Sequence, residues 1–391
     1  MQIILRSTGK YAEFRMETTV KIESIGFDQK NYWSQKRMSK KMTMKERMLA
    51  VIQKKEHDQI PFAMYEIMFN PQEAFDLLGR GNIGIIRFSP IYRFVYPNCR
   101  FVNQVYYQDG QKYQKNTLIT PKGNLEEIRI FEPTYDSSTA RKHFITQRED
   151  YEVFWSYLDD CVALDNYDHY LQDCADLGED GIAKGEVERS PWQQLWIEWV
   201  GLEGLSMHFV DYPEHVEETL QRLNARARKT FEIAYRSPAP FIDIPDNITA
   251  PAIGVKRFQK SIQPLYDELG GMLAERDAPL FVHMDGFLRP LRHAIADSKV
   301  GGMDSFSPAP DSDMTIDEAV SIWPEKILWV NFPSSVFMQS QEQIRAKMKE
   351  ILACAGHSGK LQMQISENIP LDRWRSSFPI IVEEIERFGK P

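Results

Sequence analysis

The chain has 391 residues, of which 42% are hydrophobic and 26% charged, and its formal net charge is −9. That length can bury a large core, as two or three domains or as one α/β barrel with insertions. No Lys/Arg stripe interleaved with aromatic residues runs along it, which argues against nucleic acid as a partner, and the acidic balance argues against an anionic membrane surface.

No apolar run approaches the ~20 residues of a membrane-spanning helix. Cys99, Cys161, Cys174 and Cys354 lie far apart and form no CxxC pair, so neither a zinc knuckle nor a redox motif is supported. The N-terminus lacks the charged-then-apolar signal pattern. A cytoplasmic protein with reduced thiols is expected.

Residues 1–40 are polar and basic, end in SQKRMSKKM and show no sustained period. They are expected to be a disordered leader outside the fold. Organised sequence begins at TMKERMLAVIQKKE (43–56), which places Met48, Leu49 and Ile52 on one helical face. Thr43 with Glu46 three residues on matches a capping box. A Pro-led strand ends at Glu66, a helix runs from Asn70 to Gly79, and IGIIRFSP (83–90) is a second buried strand. Residues 94–132 alternate polar with β-branched or aromatic residues, and Asp109-Gly110 and Lys122-Gly123 supply turns, so a β-hairpin or meander excursion is expected there. Residues 148–176 return to helical spacing.

Strand and helix then alternate to the C-terminus. Strands are expected near positions 61, 84, 182, 241, 280, 302, 327 and 361, most of them followed by a helix. Repeated βα units imply a parallel sheet with both faces covered, and eight of them suggest closure into a (β/α)8 TIM barrel. A doubly wound sheet is the alternative, but no strand runs into GxGxxG. Trp192, Trp196 and Trp199 share a helical face, which points to packing.

In such a barrel the active site lies at the C-terminal ends of the strands. The expected strand ends deliver Tyr65 and Glu66, then Arg87, then Glu186 and Glu188, then Asp243, Asp246 and Asn247. The later ones deliver His283 and Asp285, Asp304 and Ser305, Asn331, and finally Ser366, Glu367 and Asn368. His283 and Asp285 repeat with the strand period of two and are expected to face the pocket together. Neutral imidazole and carboxylate can be half of a zinc site, with Glu367 or Glu66 as a third ligand. Equally, Asp285 can orient His283 as a general acid/base. The catalytic or metal set is taken as His283, Asp285 and Glu367. Glu66, Arg87, Asp243, Asp246, Asn247, Asp304, Asn331 and Asn368 are the expected substrate-binding groups.

MKERMLAVIQKKEHDQIPF, WVGLEGLSMHFVDYPEHVEETL, PLFVHMDGFLRPLRHAIADSKVGGMDSFSPAP, KILWVNFPSS and LQMQISENIP, in that order, resemble the uroporphyrinogen decarboxylase superfamily over roughly residues 43–390. The resemblance implies a (β/α)8 barrel with a deep pocket at its C-terminal mouth. It also implies either tetrapyrrole decarboxylation or zinc-dependent methyl transfer with corrinoid proteins or thiols, and an enzyme that often dimerises. The decarboxylases' Gly-Arg-Tyr segment is absent from FNPQEAFDLLGRGN, and their Gly-His-Gly-like turn is replaced by QISENIP. The methyltransferase branch holds zinc with His-x-Cys and a later Cys. Here His283 matches, Asp285 stands for the first Cys, and Ser366–Glu367 replaces the second.

Three readings follow. The leading one is metal-dependent methyl transfer or demethylation on a small substrate or corrinoid partner. The second is a metal-free lyase decarboxylating an acidic, tetrapyrrole-like substrate, which calls for Arg87, Arg93 or Arg289 in the pocket. The third is a non-catalytic corrinoid- or tetrapyrrole-binding protein.

Overall fold

The computed structural model describes residues 41–134 and 137–391. The expected leader over residues 1–40 lies outside the described residues. The first helix, Met44–Ile52, starts at Thr43, whose hydroxyl accepts from the Glu46 N–H while the Glu46 carboxylate accepts from the Thr43 N–H, the capping box read from the sequence.

Eight parallel strands close into a barrel. In chain order they are β1 (Phe62–Tyr65), β2 (Gly84–Pro90), β9 (Gly181–Glu186), β10 (Ile242–Ile244), β11 (Leu280–His283), β12 (Gly302–Phe306), β13 (Ile327–Asn331) and β14 (Leu361–Ile365). β14 closes the barrel on β1, with Ala63 beside Gln364. The TIM barrel is therefore the observed fold, and all eight strands lie where the sequence places them.

The excursion after β2 is larger than its sequence signal. β3 (Tyr92–Val95) pairs antiparallel with β8 (Val162–Asp165). Between them β4 (Arg100–Gln108), β5 (Gln111–Thr120), β6 (Gly123–Phe131) and β7 (Ser138–Lys142) form a four-stranded antiparallel sheet. Asp109 and Gly110 both have positive φ, at 51° and 79°, as a two-residue hairpin turn requires. The expected helical stretch 148–176 is two helices, Asp150–Asp159 and Tyr167–Leu177, interrupted by β8. That short strand exists because β3 offers it an edge, a tertiary partner that local periodicity does not encode.

The barrel interior is layered. Ala63, Tyr65, Ile86, Ile182, Phe241, Phe281, Ile327 and Trp329 form one buried cluster with Met44, Met48, Val51 and Ile52 of the first helix, which plugs the N-terminal end. Gly84 permits that close approach, because a Cβ there would stand 2.6 Å from Met44 Cγ and 2.8 Å from Met48 Sδ. The Trp329 and Phe281 ring centroids are 4.7 Å apart, and Phe241 meets both rings at 5.2–5.4 Å. Two residues further along several strands, the lumen side chain turns polar: Ile182 gives way to Lys184, Phe241 to Asp243, Phe281 to His283, Gly302 to Asp304 and Trp329 to Asn331. Dry aromatic packing thus forms the floor on which a polar layer rests.

No described helix is long and apolar enough to cross a membrane, and the four cysteines are unpaired.

Trp329 is fully buried, and its indole N–H has no hydrogen-bond partner, so its role is to fill volume. Trp329→Ala is expected to cost about 3–5 kcal/mol, measured as a shift of the denaturant unfolding curve. A change well under ~1 kcal/mol would contradict a close-packed floor.

Candidate functional site

The polar layer is built around one buried ammonium. Lys184 Nζ lies 2.7 Å from Asp304 Oδ2, 3.1 Å from Asp243 Oδ2 and 3.3 Å from Glu186 Oε1, with its side chain only 1% exposed. It also sits over the rings of Phe88 and Tyr65, 4.5 and 5.0 Å from their centroids. Burial acts against the ammonium, yet Asp243 and Asp304 hold the Lys184 pKa well above its ordinary value. Burial likewise opposes the Asp304 carboxylate, but Lys184 and His283 bring it well below the usual carboxylate range. Asp243 goes the other way: burial pushes its carboxyl up to about 7 despite Lys184.

Tyr65 ties this layer to the imidazole. Its hydroxyl donates to Asp304 Oδ2 at 2.6 Å and lies 3.2 Å from His283 Nδ1 and 2.8 Å from Ser305 Oγ. Gln364 Nε2 donates to Asp304 Oδ1 at 2.8 Å and to Ser305 Oγ at 2.9 Å. Asp304 and Ser305 are consecutive, and a regular strand would send them to opposite faces. Both reach Tyr65 because the β12–β13 register shifts between Met303 and Phe306, where Ser305 takes a left-handed conformation, φ 65°. A non-glycine residue held there costs about 1 kcal/mol or more, so the surrounding bonds must over-determine it.

At the rim, His283 Nε2 is 3.4 Å from Asp285 Oδ2. Asp285 lies beyond the end of β11 and reaches the imidazole from the turn rather than from the strand face. Ligand atoms of His283, Asp285 and Glu367 all fall within 4.8 Å of one another. Burial acts to deprotonate His283, but hydrogen bonds with Asp285 and Asp304 win and raise its pKa to about 10. Burial opposes the Asp285 carboxylate, and His283 outweighs it, lowering the pKa. Burial, reinforced by Asp285, raises Glu367 to about 7. Two carboxylates converging on one imidazole leave the rim short of positive charge.

The other expected residues divide. Asp243 and Asp304 belong to the layer just described, and Asn247 lines the cavity, of about 350 Å³, that opens over Tyr65, Lys184 and His283. Glu66 and Arg87 do not face this cavity. They form a two-bond ion pair, both contacts 2.7 Å, and Arg87 also reaches Asp173 on the helix outside the barrel. The strand period explains this: Tyr65 and Ile86 point inward, so their neighbours point outward. Asp246 is fully buried and used, accepting from the Ser190 N–H at 2.8 Å and the Tyr266 hydroxyl at 2.6 Å. Asn331 braces strand ends, accepting from the Ser366 N–H and donating to Ser307 Oγ. Asn368 is exposed on the turn after the last strand. Arg93 is exposed, and Arg289 pairs with Glu318 on the surface. The cations that line the cavity are Lys184, Arg189 and His283.

Lys184 and Gln364 were missed at the level of sequence. Their signal is present: in GIAKGE and LQMQI, polar residues alternate with apolar ones inside runs that must be buried, which marks a polar lumen.

No protein-family profile matches the chain, and no curated protein does. Among solved structures, a methyltransferase from Methanosarcina mazei superposes with a TM-score of 0.52 at 11% identity, covering 89% of this chain and 99% of that one. The likeness shows a shared fold. The catalytic modules of a pneumococcal exo-β-D-N-acetylglucosaminidase align with a TM-score of only 0.36 at 8% identity, over 88% of this chain and 87% of that one.

Lys184→Met removes the ammonium among Asp243, Asp304 and Glu186 and leaves His283 beside Asp304 alone, so the Asp243 and Glu186 carboxyls hold protons to higher pH than in the unfolded chain. Such groups stabilise the fold at low pH and cost stability as pH rises through their raised pKa values. In the wild type the lowered Asp304 works oppositely, contributing stability above the ordinary carboxylate range and losing it on acidification. The deficit of the variant is therefore expected to be small near about pH 5 and to widen to about 3–5 kcal/mol near about pH 8, read from denaturant midpoints. A pH-independent deficit would contradict this arrangement.

Proposed function

We propose that the chain is a methyl-transferring barrel enzyme whose reaction centre is a zinc ion held by His283, Asp285 and Glu367. The observation that carries this is the convergence of one imidazole and two carboxylates, within 4.8 Å of one another, at the barrel mouth. The barrel shared with the Methanosarcina mazei methyltransferase supports the reaction class at the level of fold.

The donor set fits the ion. Zinc accepts imidazole nitrogen and carboxylate oxygen, and three protein ligands leave a position open for substrate, as in catalytic sites. Two ligands each ~2.1 Å from an ion stand at most ~4.2 Å apart, so the rim needs only a small contraction to close. When bound, zinc would supply Lewis acidity toward the atom that gives or receives the methyl group.

The rest is the work of the chain. Tyr65 accepts from His283 Nδ1 while donating to Asp304, which fixes the ring and leaves Nε2 toward Asp285 and Glu367. Lys184 keeps Asp304 ionised and so anchors that relay. Phe88 and Tyr65 present apolar surface to the cavity, which limits water around a transferring methyl group. The substrate is a small molecule or a corrinoid-borne methyl group presented by a partner protein.

Purified wild type is expected to take up one zinc per chain by elemental analysis and to move methyl groups from methylcobalamin to a small thiol, followed by visible absorbance. Loss of outer partners of a metal site costs ~10–100-fold. Tyr65→Phe is expected to fall in that range, and His283→Ala to fall beyond it with loss of zinc. Absence of stoichiometric zinc together with unchanged turnover in His283→Ala would overturn the reading.

Because His283 is held protonated up to about 10 and Glu367 up to about 7, zinc uptake near neutral pH must release protons. Zinc affinity is expected to rise with pH, and calorimetry in buffers of different ionisation enthalpy should register the release. No buffer dependence would place the ion elsewhere.

A further inference from the structure

A second compartment, of about 290 Å³, adjoins the cavity over Lys184 and His283 and shares Glu186, Arg189 and Pro245 with it as lining. Its walls are aromatic: Tyr92, Phe94, Tyr96, Tyr157 and Trp199 line it. The rings form a continuous band. Tyr96 and Tyr157 stack with centroids 4.3 Å apart and share a 2.7 Å hydrogen bond, and Phe94 and Trp199 flank them at 6.2 and 5.5 Å. Carboxylates complete the lining: Glu186, Glu188 and Glu198 against the guanidinium groups of Arg189 and Arg226.

The polar bonds of these groups leave acceptors over. Arg189 is engaged by the Pro245 carbonyl, Asn247 Oδ1 and Glu198. Arg226 is engaged by Glu188 and Gln194, and lies 5.0 Å from the Phe94 ring centroid. Glu188 spends only one oxygen: Oε2 accepts from Arg226 at 2.7 Å and Gln194 at 3.0 Å, whereas Oε1 has no partner on a side chain only 7% exposed.

We propose that this compartment binds the cationic end of the substrate, a quaternary or tertiary methylammonium group, between its aromatic band and Glu188. A quaternary methylammonium has no N–H donor to satisfy, and a tertiary one has a single N–H that Glu188 Oε1 can accept; either is held by ring faces through its charge and gains most where it is desolvated beside a carboxylate. An anion would meet an excess of carboxylates, and a neutral apolar group would leave the buried Glu188 oxygen without compensation. The lining shared through Glu186, Arg189 and Pro245 connects this compartment to the cavity over His283. That the ligand is a substrate rests on the methyl-transfer reading; that it binds does not.

The full chain is titrated by calorimetry with choline, its neutral carbon isostere 3,3-dimethylbutanol, and the pivalate anion. Choline is expected to bind at least about 10-fold tighter than the isostere, and pivalate not at all. Glu188→Gln is expected to weaken choline about 10-fold or more. Because Glu188 also supports Arg226, Glu198→Gln, whose carboxylate is partly exposed, serves as the variant that folds independently of that pair, with a several-fold loss expected. Choline binding in His283→Ala is expected to match wild type, which separates this outcome from failure of the zinc centre. Equal affinity for choline and its isostere, no choline binding, or unchanged binding in both Glu variants would overturn the proposal. Loss of binding in His283→Ala would overturn the placement.

Discussion

One ammonium group, Lys184 Nζ, is the charge around which the upper barrel is organised. Its carboxylate partners come from three different strands, β9, β10 and β12, and the side chain is almost wholly removed from water. An ion buried that deeply is tolerable only when its partners are close and themselves bonded. Asp304 meets that demand through Lys184, Tyr65, Gln364 and Ser305 together. The bulge and left-handed residue at Ser305 are the backbone cost of bringing two consecutive polar side chains into one lumen.

The lumen therefore has two regimes separated by a single strand repeat. Below, Phe241, Phe281 and Trp329 exclude water and fix the strands. Above, carboxylates outnumber cations, so protonation states are set by neighbours rather than by bulk pH. The opposite shifts of Asp304 and Asp243, which share Lys184, illustrate this. The same shortage of positive charge extends outward to the His283–Asp285–Glu367 rim, while in the aromatic compartment Glu188, paired with Arg226, keeps one oxygen without a partner. A cation, metallic or organic, is what this electrostatic surface is short of.

The antiparallel excursion after β2 contributes to the site through its base rather than its tip. Tyr92 and Phe94 of β3, with Tyr96 just after it, turn toward the cavity side, and Tyr157 and Trp199 meet them from helical segments. An insertion whose sequence reads only as alternating polar and aromatic residues thus builds one wall of the cleft. The strand pairing of β3 with β8 holds that wall in place.

The sequence by itself determined the barrel, because eight short apolar runs separated by amphipathic helices admit few other ways to bury both faces of a parallel sheet. It also determined that His283 and Asp304 stand at strand ends, since period-two alternation is local, whereas Asp285 reaches the imidazole from the turn beyond β11. Which of the polar strand ends face inward was decided only by tertiary structure: Tyr65 and Ile86 take the lumen, so Glu66 and Arg87 pair on the outside. Glu367 rather than Glu66 meets His283 for the same reason. Lys184 was legible as a lysine inside a buried strand, but its meaning required the carboxylates of β10 and β12, which are dozens of residues away and adjacent only after the sheet closes. Local pattern fixes which face a side chain takes relative to its neighbours. Only closure of the barrel fixes what it meets there.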